Sequence, residues 1–166
     1  MLIHIFAIMK LEDQIKQASF SHIEEKLIVN LIYTSNLITL LTSRLFKPYG
    51  LSAQQYNVLR ILRGQNGQAI SLLDIEDRML DKSSNVSRLI DKLVLKHYIT
   101  REESKVDRRR VDVLISQSGL DVLKEIDAEL NKFYEKLNTL VEYSDAKKMN
   151  TILDTCLLYT SDAADE

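Results

Sequence analysis

Nine cationic side chains fall between Lys82 and Arg110 (Lys82, Arg88, Lys92, Lys96, Arg101, Lys105, Arg108, Arg109 and Arg110). They face four anions, Asp91, Glu102, Glu103 and Asp107, in a chain whose formal net charge is -2. A local excess of positive charge in a near-neutral protein suits a polyanion, although a solvated charged hairpin has the same composition. The residues between the charges narrow the chemistry. Lys82, Ser83, Ser84, Asn85, Ser87, Arg88 and Lys92 form one polar run. Arg and Asn match the hydrogen-bonding edges of guanine and adenine, and each such pair carries ~1–3 kcal/mol of discrimination. Arg101, Lys105, Asp107, Arg108, Arg109 and Arg110 form a second run. Three consecutive arginines repel one another unless an anion meets them, and a narrow minor groove is such an anion. Asp107 fits a residue that folds back onto one of these arginines, and equally an ordinary turn residue.

Catalytic chemistry has no comparable constellation. There is no Gly-rich phosphate loop, no nucleophile with an evident base and no carboxylate pair distinct from a helix surface, so no enzyme is expected. His22 and His97 are too scattered for a metal cluster, and no metal or other cofactor is expected.

The elements that would position these side chains follow from periodicity. Ser71 reads as the cap of a short helix carrying Leu72, Leu73, Ile75 and Met79. Asp81 or Ser83 reads as the cap of the next, in which Val86, Leu89, Ile90, Leu93 and Val94 recur at helical spacing and leave Ser84, Asn85, Ser87, Arg88 and Lys92 toward solvent. Tyr98 to Arg101 and Val111 to Ile115 have strand composition, with the second basic run between them. That order is helix-turn-helix plus wing. The expected class is mainly α with a small β-hairpin wing, dimerising through N- and C-terminal helices.

Upstream, a long helix is expected from Ser21, with Ser21 and Glu24 as a capping box. Its apolar residues, Leu27, Ile28, Leu31, Ile32, Leu37, Ile38, Leu41, Leu45 and Phe46, are joined by Val29, Tyr33 and Leu40 off the stripe. So wide a surface asks for burial on more than one side, by a second subunit or as the central helix of a monomer. Lys47-Pro48-Tyr49-Gly50 stops it, Ser52 starts the next helix, and Ala69-Ile70 suits a short strand. Downstream, Gln117 to Tyr143 is helical, and Ser144-Asp145 opens a last helix. Both arms carry an apolar face, which favours a homodimer.

At 166 residues, with 45% hydrophobic side chains, one Pro and four Gly, the chain can form one core dominated by long helices. No apolar run suits a membrane span, the N-terminus lacks a secretory pattern, and one Cys excludes an internal disulfide framework. The cytoplasm is the expected location. The expected organisation is a non-native leader at 1–8, an N-terminal dimerisation helix over 9–50, a winged domain over 51–116, C-terminal dimerisation helices over 117–155 and a non-native tail at 156–166. The leader and tail rest on a resemblance: CLLYTSDAADE at the C-terminus, and LIHI at Leu2 to Ile5, resemble a translated sequencing adaptor. Without the two ends, 21 of the 24 acids face all 22 bases and no cysteine remains, which excludes thiol sensing.

Three ordered segments resemble one family, the multiple-antibiotic-resistance (MarR) regulators. They are GLSAQQYNVLRIL at Gly50 to Leu62, DKSSNVSRLIDKL at Asp81 to Leu93 and DRRRVDVLISQSG at Asp107 to Gly119. The resemblance implies a homodimeric winged helix-turn-helix transcription regulator, with Arg88 matching the major-groove arginine, Arg109 the minor-groove arginine, and Arg108 or Arg110 near phosphate. It implies further that a small lipophilic or aromatic effector releases the DNA, and Tyr33, Arg44 and Phe46 are candidates to line its pocket. The segment Ser83-Ser84-Asn85-Val86 is one residue longer than the commoner form, and His97 replaces the usual Gly after the recognition helix. The expected function is therefore a cytoplasmic repressor binding a palindromic double-stranded operator. The rival is a winged-helix protein-interaction module without duplex binding.

Overall fold

The computed structural model describes residues 10–103 and 111–162, and the chain divides into two units, Met1–Ala53 and Gln54–Glu166. In the first unit a short helix α1 (Leu11–Ile15) precedes α2 (Ile23–Phe46). Lys26 Nζ meets Glu12 Oε1 at 2.6 Å, and the Tyr33 hydroxyl donates to Gln14 Oε1 at 3.0 Å, so two polar bonds tie α1 to α2. The Lys26 ammonium holds the Glu12 carboxyl below the ordinary carboxylate range. The expected Ser21–Glu24 capping box does not form. The helix begins two residues later, His22 occupies the cap position without a side-chain bond, and the Ser21 N–H donates instead to Glu25 at 3.0 Å. A carboxylate four residues on reaches back where the shorter spacing was expected.

Along α2 only Phe46 is buried, while Ile23, Leu27, Ile28, Leu31, Ile32, Ile38 and Leu40 stay exposed. Its end is as expected: Lys47–Tyr49 tightens into a 3-10 turn containing Pro48, and Gly50 adopts φ 65°, a left-handed exit that glycine takes without a Cβ clash.

The second unit is organised differently. Its elements are α3 (Ala53–Arg63), β1 (Ile70–Ser71), α4 (Leu72–Arg78), α5 (Val86–Leu95), β2 (Ile99–Glu103), β3 (Val111–Ile115), α6 (Gln117–Asn138) and α7 (Tyr143–Asp162). The strands form an antiparallel sheet of order β1-β3-β2, with Ile70 opposite Val113 and Ile99 opposite Ile115. The expected strand at Ala69-Ile70 thus exists one residue later and completes the sheet. Leu59, Leu62, Ile75, Ile90, Leu93, Ile99, Val113, Leu123 and Ile126 are fully buried, so every helix from α3 to α6 contributes to this core. Each such side chain contributes roughly 1.5–3 kcal/mol by leaving water. Arg63 and Asp127, paired at 2.5 Å, add a link between α3 and α6. Helix α6 stops at Asn138, short of the Tyr143 expected, and α7 begins at Tyr143. Among the described residues, no helix is long and apolar enough to cross a membrane.

Candidate nucleic-acid interface

The helix that presents the first polar run is short. Helix α5, VSRLIDKLVL, buries Val86, Ile90 and Leu93 and exposes Ser87, Arg88, Asp91 and Lys92. Residues 87, 88, 91 and 92 are spaced one, three and four apart and therefore share one face. Among the described residues, no side chain bonds to the Arg88 guanidinium or the Lys92 ammonium. Their charges are available to an anion.

Lys82, Ser83, Ser84 and Asn85 do not lie on this helix, as the sequence suggested, but in the turn before it. That turn is built around Asp81. Its Oδ1 accepts from the Ser83 hydroxyl at 2.6 Å and from the Ser83 N–H at 3.0 Å, and its Oδ2 from Gln54 at 3.4 Å. The Ser83 hydroxyl, and then Gln54, hold the Asp81 carboxyl below its ordinary range. The Lys82 ammonium donates to the Asp77 carbonyl, and the Ser84 Oγ is covered rather than turned to solvent. Lys82 and Ser83 therefore spend side-chain donors locally, while the Ser84 Oγ is buried without a hydrogen-bond partner among the described residues.

Asn85 caps α5: its Oδ1 accepts the Arg88 N–H at 3.1 Å. Neither Asp81 nor Ser83 is the cap, because the helix begins at Val86, too far along for them to reach its first N–H groups. A bidentate Asn–adenine contact needs both the carbonyl oxygen and the amide donors of the side chain. That oxygen already accepts the Arg88 N–H, so a bidentate adenine contact by Asn85 would have to use its second lone pair beside the cap bond. The upstream helix shows the same logic: Ser71 Oγ accepts from the Asp74 N–H at 3.2 Å while the Asp74 carboxylate accepts from the Ser71 N–H at 3.3 Å, a reciprocal cap that fixes where α4 begins.

The exit of α5 is equally fixed. His97 adopts φ 58°, the left-handed region, and its N–H donates to Val94 O at 2.9 Å while the Tyr98 N–H donates to Leu93 O at 3.1 Å. Both bonds of a Schellman ending are present although the residue is not glycine. The chain beyond the sheet then grips this exit. The Ser116 hydroxyl donates to His97 O at 2.7 Å, the Ser116 N–H donates to Tyr98 O at 3.0 Å, and Ser116 Oγ caps α6 through the Gly119 N–H. A Cβ on Gly119 would lie 2.2 Å from the Tyr98 carbonyl oxygen, so the close approach requires glycine. Sequence reasoning missed Ser116, although a Ser three residues before a Gly at a helix start was its signal.

In the second basic run, Arg101 lies on β2 and its guanidinium pairs with the Asp91 carboxylate of α5. Lys105, Asp107, Arg108, Arg109 and Arg110 lie outside the described residues. The candidate pocket residues do not converge. Tyr33 and Phe46 are thirteen positions apart on α2, about 20 Å at the helical rise of ~1.5 Å per residue. Tyr33 is half-buried and bonded to Gln14, Arg44 is exposed, and Phe46 is buried. Two hollows in the second unit lie elsewhere. One of about 340 Å³ is lined by Gly67, Gln68, Ala69, Glu102, Glu103, Asp112 and Leu114, the other, of about 250 Å³, by Glu76, Met79, Asp81, Lys82, Ser84 and Val86.

Known proteins share this fold. Residues 49–110 match the MarR family model. The HTH-type transcriptional regulator PapX of Escherichia coli is 25% identical over 121 residues, covering 73% of this chain and 74% of PapX. A MarR transcription factor from Planctomyces limnophilus is 27% identical, with a TM-score of 0.62 over 84% of this chain and 99% of that one. The MepR-DNA complex of S. aureus gives a TM-score of 0.72 over 84% of this chain and 99% of MepR, and at 16% identity that likeness is one of fold. These relatives are transcriptional regulators, not enzymes.

Proposed function

Since the domain at residues 49–110 places the chain in the MarR family of DNA-binding transcriptional regulators, we propose that it acts as a repressor that binds an inverted repeat as a homodimer. The observation that carries this reading is the outer face of α5, where Ser87, Arg88 and Lys92 stand exposed and the two cations have no partner among the described residues. A ten-residue helix, about 15 Å long, fits a major groove. Arg88 would reach a guanine edge. The basic run ending in Arg108, Arg109 and Arg110 would follow the adjacent minor groove, and the family resemblance supports that assignment. MepR is seen with DNA on the same fold. The exposed apolar residues of α2, and Tyr143, Met149 and Ile152 on α7, support a second subunit that covers both arms. Two-fold symmetry then implies half-sites about one turn (~10 bp) apart. Release by a small lipophilic or aromatic effector belongs to the same reading and is supported by the family alone, since none of Tyr33, Arg44 and Phe46 lines either hollow described above.

Selection from a pool of randomised duplexes, followed by mobility shift at several salt concentrations, tests this function. The expected result is an enriched inverted repeat whose binding falls steeply with salt. Arg88→Ala should lose affinity for that repeat more than for unrelated duplex, by roughly 1–3 kcal/mol, whereas Arg109→Ala should weaken both alike. Absence of salt-dependent duplex binding would overturn the proposal in favour of a winged-helix module that binds protein.

A further inference from the structure

Arg101 was grouped by its charge with the DNA-contacting residues of the wing, yet its surroundings give it different work. Along β2 the side chains alternate, so Ile99 and Arg101 share a face. Ile99 is buried in the core, and β2 packs against α5, so that shared face brings Arg101 up beside the recognition helix, where its guanidinium meets the Asp91 carboxylate. Asp91 is the one acid of α5 and lies on the same outer face as Ser87, Arg88 and Lys92. In a groove lined with phosphates, an unpaired carboxylate there would repel the ligand that its neighbours attract. Moving Arg101 to a phosphate would expose that anion at the moment of binding.

The geometry points to Arg101 as a positioning residue. It serves DNA binding by holding Asp91, which neutralises the acid on the reading face and ties the first strand of the wing to the recognition helix, and it does not itself touch the nucleic acid. This inference rests on the DNA-binding reading above.

A double-mutant cycle separates the two roles. The probe is the wild-type-selected duplex of roughly 30 bp, long enough for two half-sites one turn apart. Arg101→Ala, Asp91→Asn and the double variant are compared for affinity, and ethylation interference maps the phosphates each protein needs. Because the pair is largely exposed (42% and 58%), all three variants should fold, which thermal melts check. A positioning residue predicts that Arg101→Ala costs about three- to ten-fold in affinity in the wild-type background and nothing in the Asp91→Asn background, with the same set of phosphates still required. The same cost in both backgrounds, together with the loss of one discrete phosphate from the interference pattern, would overturn it. So would wild-type affinity of Arg101→Ala. If the wild-type protein enriches no duplex, the functional reading itself has failed, a result distinct from any outcome of the cycle.

Discussion

Helices α5 and α2 both carry a run of branched apolar residues, and their fates differ. Helix α5 is ten residues long and buries three of them, and its partners α4, β2 and the core beneath are all supplied by the same chain. Helix α2 is twenty-four residues long and buries none of them, only Phe46 at its end, leaving Ile28 and Ile32 each 58% exposed. The winged second unit, the reading head of the proposed function, thus has its core completed within a single chain, whereas α2 leaves most of its apolar surface exposed in that chain. Periodicity alone does not separate the two cases, because it reports that a face needs covering and not what covers it. A width of apolar surface beyond one stripe, as at Val29 and Leu40, was the additional sign.

The sharpest way to widen this contrast is to injure each helix and ask what fails. Leu93→Ala removes a fully buried side chain from α5 and should lower stability by roughly 2–5 kcal/mol, read as a fall in the denaturant midpoint that is independent of protein concentration. The paired change Ile28→Gln with Ile32→Gln should weaken self-association by roughly 2–4 kcal/mol, given that much of each side chain remains to be covered, and should leave the melting of the reading head intact. Sedimentation at several concentrations would show it. Equal destabilisation by both sets at every concentration would mean that α2 is an internal core helix, and the contrast would break. The smallest effect tests the cap. Asn85→Ala should cost about 0.5–2 kcal/mol through fraying of α5, and Asn85→Ser should recover most of it. Should Asn85→Ser keep the stability and still lose the preference for one base, the amide of Asn85 reads that base and its capping role is not the whole account.

Much of the reading head was legible beforehand. The stripe of Val86, Ile90 and Leu93, the strand at Val111 to Ile115, the stop at Pro48-Gly50 and the Ser71 cap all depend on neighbours within a few positions, where periodicity and local hydrogen bonds decide. What escaped depends on longer reach or on close competition. Asp81, Ser83 and Asn85 are all able cap formers within five positions, and the choice among them is set by where the backbone turns, which Asp81 itself controls. Arg101 and Asp91 stand ten positions apart across a helix exit, so counting charges along the chain does not reveal that the arginine pairs with a carboxylate of the neighbouring helix. Tyr33, Arg44 and Phe46 were grouped by chemistry, and a straight helix keeps the first and last of them apart.

The left-handed backbone at His97 bears on how this sequence tolerates change. A histidine held in that conformation carries roughly 1 kcal/mol of local strain. A glycine there would be unstrained, but it would also enlarge the freedom of the unfolded chain by an amount worth about 0.5–1 kcal/mol. The two contributions nearly cancel. Drift between histidine and glycine at this position is therefore close to neutral for the fold, so long as both bonds of the helix ending are kept. Related sequences can differ in the letter at position 97 while the chain leaves the recognition helix along the same path.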